Sequence, residues 1–136
     1  LDVLQGIRVE DVMVRRALVQ LSRDTPAAEV ARNFDIHREQ AIFPVVEDER
    51  CVGIVSEAAL RRLVVDTQRE LTCAAEIMLP PFTVGEEEDL HQVLSKMLER
   101  GLNSALVLDE KQKIIGLLDE SEIGAAYHQA TVESHG

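Results

Sequence analysis

The amino-acid sequence predicts an α/β (α+β) protein made of two βαββα repeats packed together as a pseudo-two-fold pair. Three observations predict it. Segments recur in the same order: "VEDVM" (9–13) returns as "AAEIM" (74–78), and "LVQLSRDTPAAEVARNF" (18–34) as "FTVGEEEDLHQVLSKML" (82–98). "FPVVEDERCVGIVSEAAL" (43–60) returns as "ALVLDEKQKIIGLLDESEI" (105–123), with one residue fewer in the first turn. Apolar positions stay in step, Leu21 with Val84 and Val30 with Val93. Each copy also alternates short apolar runs with helical periodicity, the mark of strands and amphipathic helices. Neither half carries enough apolar surface to stand comfortably alone, as repeats of this size seldom do.

The first repeat occupies 1–68 with its linker and the second 69–136 with its tail. In the first, a short helix ends in "DVM" and "ALVQLS" (17–22) reads as a strand. Asp24 and Thr25 with Pro26 start a helix through about Ile36, because Pro suits a first helical turn and short polar side chains cap it. "AIFPVV" and "CVGIV" are strands joined by the polar turn "EDER". A helix from about Glu57 to Thr67 puts Leu60, Leu63 and Val64 on one face. In the second repeat "EEEDLHQVLSKMLER" reads as a helix stopped by Gly101, which suits the left-handed position just past a helix end. "SALVLD" and "KIIGLL" form its hairpin, and the last helix runs from about Glu120 to His128, leaving His135 in a tail.

Composition narrows the functional classes. The 136 residues are 46% apolar and 29% charged, as in a soluble globular protein long enough to bury a core without disulfides. The net charge of −11 disfavours nucleic acid and anionic membrane surfaces as partners. It is uneven, −3 over residues 1–70 and −8 over 71–136. With 3% aromatic residues and no Trp, stacking on bases is no main theme. Cys51 and Cys73 lack the spacing of a metal site or a disulfide framework and read as small hydrophobes in a reducing cytosol. No run of about 18 apolar residues spans a bilayer. The opening "LDVLQGIRVEDVM" has no initiator Met, which we read as a segment of something longer.

The "DVM"/"EIM" helix ends, the "PVV-acid-turn" hairpin leading to glycine, and the hydroxyl or acid at the next helix start occur twice in order. This set resembles a tandem pair of CBS (cystathionine-β-synthase) domains, the Bateman module, over residues 9 to about 127. The opening thirteen residues further resemble the link between the last membrane helix and the first CBS domain of bacterial CLC-type chloride channels and transporters. Together these resemblances imply a regulatory domain on the cytoplasmic side of a membrane, covalently attached to a channel or transporter. They imply a homodimer through the helices that follow each hairpin, with Leu60, Leu63 and Val64 in one and Ile123 and Tyr127 in the other. No nucleic-acid partner is expected.

CBS pairs resembling this one bind adenine nucleotides (AMP, ADP or ATP) in clefts between their repeats, without a required cofactor. The family's contact motif is glycine, two apolar residues, Thr or Ser, two variable residues, then Asp. A hydroxyl and N–H groups at a helix start suit phosphate, and a carboxylate suits two ribose hydroxyls. Carried over by position, the first repeat has Gly53, Ser56 and Ala59, keeping the hydroxyl and losing the acid. The second has Gly116, Asp119 and Glu122, keeping a longer acid while the hydroxyl becomes a carboxylate. An anion beside a phosphate a few ångströms away costs several kcal/mol at an effective dielectric of about 20. For the base, the resemblance points to Ala41, Ile42 and Phe43 and to Ser104 and Ala105. A second reading stays open beside the first. Asp119 with Glu122 fits a variant capping box, Ser56 a plain N-cap, and the base-pocket residues strand core.

Other candidates point more weakly to chemistry. Arg61 and Arg62 lie one turn beyond Ser56, within reach of an anion or simply solvated. "EEED" (86–89) is either a Mg²⁺ cluster or a set of acids favouring the positive end of a helix. Met13 and Met78 end the opening helices and read as core. His37, His91, His128 and His135 lack metal-ligand spacing. There is no nucleophile elbow, phosphate-loop lysine or clustered Cys–His pair, so the sequence offers no support for catalysis.

Overall fold

A computed structural model describes residues 3–63 and 72–135. In chain order the elements are α1 (Val9–Val12), β1 (Val14–Arg15), α2 (Ala27–Ile36), β2 (Ile42–Glu47), β3 (Arg50–Ser56) and α3 (Glu57–Leu63). There follow α4 (Ala74–Ile77), β4 (Thr83–Gly85), α5 (Leu90–Arg100), β5 (Ser104–Leu108), β6 (Ile114–Asp119) and α6 (Glu120–His135). The expected continuation of α3 to Thr67, and Val64 with it, lies outside the described residues.

The chain forms two compact units, one from residues 1–17 and 83–136, the other from 18–82. A compact unit and a sequence repeat are therefore different groupings of the same segments. Each repeat's opening helix, α1 or α4, belongs to the unit that holds the other repeat's hairpin.

In the discontinuous unit the sheet order is β1-β6-β5-β4, with β4 parallel to β5 and the other pairs antiparallel. The 18–82 unit repeats that order in reduced form. Leu21 makes a parallel bridge to Val45 in β2, β2 pairs with β3, and Ile54 in β3 bridges Leu79. The registers correspond: Val45 faces Gly53 as Val107 faces Gly116, and both hairpins shift register just beyond that pair. The "EDER" turn closes β2–β3 through Asp48 and Glu49 at φ 50° and 65°, the positive-φ pair that a two-residue hairpin loop needs. The core of this unit gathers Leu21, Val30, Phe34, Phe43, Val45 and Val55. Its Cys51 thiol donates to the Gly53 carbonyl at 3.2 Å, and burial pushes that thiol up.

Gly53 and Gly116 share one purpose. A Cβ on Gly116 would lie 2.1 Å from the Val14 carbonyl oxygen and 2.7 Å from Met13 Cε. On Gly53 it would lie 2.6 Å from Met78 Sδ and 2.9 Å from the Leu79 carbonyl oxygen. In each unit the chain leaving an opening helix crosses its hairpin at that glycine, closer than any side chain allows. Met13 and Met78, the C-caps of α1 and α4, press on these glycines.

Three expectations need correction. "ALVQLS" is not a strand but a single bridge at Leu21. Buried Gln40 takes over the backbone of Val19, its Oε1 accepting from the Val19 N–H at 3.0 Å and its Nε2 donating to the Val19 carbonyl at 2.9 Å. A side-chain amide thus stands where a ladder would run. Next, "EEED" is loop, and α5 begins only at Leu90. Glu88 accepts from the Gly85 N–H at 2.6 Å and from Lys96 Nζ at 2.5 Å. Asp89 caps the helix through the His91 N–H at 2.7 Å and also takes the Gly6 N–H at 2.7 Å. These carboxylates stabilise a turn by binding its backbone, which competes with helix. Third, α6 runs through His135, so that residue lies in helix rather than tail. One strand is not anticipated at all: Val14–Arg15, which no apolar run announces, pairs with β6.

Candidate functional site

The two helix starts singled out by the sequence occupy equivalent positions, and we take each within its own unit. Ser56 closes β3 opposite Ile42, and Asp119 closes β6 opposite Ser104.

At the first, Ser56 Oγ accepts from the Ala59 N–H at 3.2 Å, an ordinary N-cap of α3. Ala59, at the position of the family's ribose acid, is buried and offers no acceptor. Ile42 and Phe43 are core residues, Phe43 fully buried with its ring centroid 4.5 Å from that of Phe34 at 65°. Ala41 is exposed. Arg61 Nη2 pairs with Glu57 Oε1 at 3.0 Å one turn back, and Arg62 lies exposed beside it.

The second is denser. The hydroxyl of buried Ser104 donates to Asp119 Oδ1. Glu122 Oε1 accepts the Asp119 N–H at 3.0 Å, and its Oε2 accepts the Ser121 hydroxyl at 2.6 Å. The Glu120 N–H donates to the Asn103 carbonyl at 2.8 Å. Only half of the capping box forms: Glu122 reaches back as expected, but the Asp119 carboxylate turns to Ser104. Ala105 is fully buried.

Burial pushes the Asp119 carboxyl above the ordinary carboxylate range. The Ser104 hydrogen bond opposes the rise, the Glu122 charge adds to it, and Arg16 opposes it. Arg16, immediately after β1, is the contributor that sequence reasoning missed. It reaches this locus through the crossing at Gly116, where its N–H donates to the Ile115 carbonyl at 3.1 Å. Nothing in the motif marks a residue 103 positions before Asp119 in the chain.

A raised folded-state pKa means that the folded protein holds this proton more tightly than the unfolded chain. Asp119 therefore makes a contribution to stability that is greatest in acid. It is lost as pH rises from the unfolded carboxyl range through the folded value. Asp119→Asn, which keeps an acceptor for Ser104, should melt above the wild type at pH 8 and converge with it below pH 4. Calorimetric melts across that range test this, and equal offsets at both ends would remove Asp119 as the cause. Asp89 has the opposite sign. The N–H groups of Gly6, His91 and Gln92 pull its carboxyl down, so its contribution is present at neutral pH and lost in acid.

The remaining candidates do not converge on a site. Among the described residues no group of three His, Cys, Asp or Glu could hold a metal ion. Nor is any helix among them long and apolar enough to cross a membrane. A concavity of about 610 Å³ in the discontinuous unit is lined by Glu10, Glu86, Glu87, Glu88, Asp109 and Glu110 among others, with Glu88 already held by Lys96.

The CBS domain family model matches residues 9–66 and 74–128. The chain is 26% identical over 135 residues to an uncharacterized protein of Methanopyrus kandleri, covering 96% of this chain and 68% of that protein. It is 23% identical over 123 residues to inosine-5'-monophosphate dehydrogenase of Thermoplasma acidophilum, spanning 90% of this chain but only 24% of the enzyme. Among solved structures it is similar to the CBS domain of a bacterial CNNM/CorC family Mg²⁺ transporter in complex with ATP. That pair has a TM-score of 0.77 at 21% identity, covering 91% of this chain and 89% of that one. It is also similar to CBSX2 in complex with AMP, with a TM-score of 0.75 at 24% identity over 93% and 99% of the two chains.

Proposed function

This chain belongs to the CBS domain family, as a tandem pair, and from that premise we propose that it is a regulatory module sensing an adenine nucleotide. The observation that carries the proposal is positional. A hydroxyl or acid side chain closes the last hairpin strand at the same register in both units, Ser56 and Asp119, each followed directly by a helix. In the first half-site Ser56 would meet phosphate, and in the second, separate half-site Glu122 would meet the ribose, with Gly53 and Gly116 letting the backbone pack closely beside each. Similarity to CBS structures in complex with ATP and AMP supports the ligand class. The residues fit this ligand in part, since Ala59 lacks the ribose acceptor and Asp119 stands where a hydroxyl is expected. A ligand that prefers one arrangement of the chain would bias an attached domain by that preference.

The finer reading is a cytosolic domain of a membrane transport protein. The opening segment's resemblance to the CLC link supports a chloride channel or transporter, and similarity to the CNNM/CorC domain supports transport more broadly. Exposed Tyr127 on α6 supports dimerisation through that helix, whereas Ile123, expected on the same face, is buried within the chain. Thermal melts with millimolar AMP, ADP and ATP, with and without Mg²⁺, test the sensor. A ligand at 100 times its dissociation constant adds about 2.7 kcal/mol, which should raise Tm by on the order of 10 °C for a chain of this size. No shift with any of them overturns the reading.

A second reading, a ligand-free dimerisation module, is favoured by one observation: the Asp119 and Glu122 carboxylates already have partners within the chain. It predicts flat melts with every nucleotide and a dimer by light scattering.

A further inference from the structure

The disagreement between Asp119 and a phosphate is specific enough to assign a consequence, which rests on the nucleotide reading above. We infer that Asp119 and Glu122 close one of the chain's two nucleotide half-sites to phosphate, so that each chain takes a single phosphate-bearing adenine ligand. A phosphate at a helix start is held by N–H groups that have no partner within the helix. Here two of those at the start of α6 are already used: the Asp119 N–H donates to Glu122 Oε1 at 3.0 Å and the Glu120 N–H to the Asn103 carbonyl at 2.8 Å. Glu122 thus stands in for the anion. The hydroxyl that could have served a ligand, on buried Ser104, is turned to Asp119 Oδ1 instead.

Two carboxylates, at 119 and 122, then face any incoming anion from the same helix turn, with Arg16 the cation acting on Asp119. The equivalent start at Ser56 carries a neutral hydroxyl, and Ala59 stands where the second unit has Glu122. The two repeats have diverged in charge at the one point where the family's ligand brings its own negative charge. Asp119 is therefore a specificity-determining residue acting by repulsion.

Titration calorimetry with AMP at pH 8, above the carboxylate range, tests this on the whole chain as wild type and as D119N. Wild type should bind one AMP per chain. D119N keeps an acceptor for Ser104 while removing the charge, and should bind two, the new site gaining on the order of tenfold or more in affinity. Adenosine, without a phosphate, should bind wild type and D119N alike. Two AMP per wild-type chain, one per D119N chain, or an equal gain for adenosine would each overturn the exclusion while leaving nucleotide sensing standing. No AMP binding by either protein would overturn the nucleotide reading itself, and this inference with it.

Discussion

Gly116→Ala is expected to destabilise the chain by about 3 kcal/mol or more, at the upper end of what overpacking costs. The added methyl meets the Val14 carbonyl oxygen at 2.1 Å, and that oxygen belongs to a backbone paired with β6. Relief requires β1 to lift from the sheet, giving up Val14↔Leu117 and Arg15↔Gly116 pairing together. Gly53→Ala is the internal control. Its nearest obstacle is Met78 Sδ, the far end of a flexible side chain, and the Leu79 oxygen follows at 2.9 Å. A cost of roughly 1–2 kcal/mol is expected there. Urea unfolding of both variants checks the order, and a Gly53 variant as unstable as the Gly116 variant would mean that the β1 crossing is not what holds this glycine. Either result bears on the proposed function, because both glycines belong to the motif on which the proposed nucleotide site is built.

Phe43→Ala is expected to cost about 3–5 kcal/mol, the range for emptying a buried aromatic site. Phe43 has no exposed surface, packs edge-on to Phe34, and belongs to the core with Leu21, Val30 and Val55. The loss should appear in full without any nucleotide. If Phe43 instead served mainly as a wall for adenine, the variant would unfold at nearly the wild-type urea concentration and lose only ligand-induced stabilisation. The fully buried ring favours the first outcome.

These two predictions show where the sequence was legible. The repeat was readable because each copy keeps the same apolar register, so Val45 faces Gly53 and Val107 faces Gly116 in hairpins of matching design. Gly101 ended α5 as expected, in the left-handed conformation at φ 64°. Legibility failed where side chains bind distant backbone. "ALVQLS" has the composition of a strand, but Gln40 occupies the Val19 groups a neighbour would need. "EEED" has the composition of a first helical turn, but Glu88 and Asp89 close a loop instead. At the candidate site the motif positions were visible, while the Ser104 contact and the influence of Arg16 on Asp119 were not.

By itself, then, the sequence determined the two-repeat α/β plan, most helices and strands, and the paired helix starts at Ser56 and Asp119. These follow from periodicity and local backbone preference, which act over a few residues. Only the tertiary structure decided that each opening helix belongs with the other repeat's hairpin, and that the glycines make room for that crossing. It also decided that Asp119 and Glu122 are occupied by the chain's own hydroxyl and N–H groups. Those outcomes depend on which distant segments compete for the same space and the same hydrogen bonds, and such competition is resolved only when the whole chain packs.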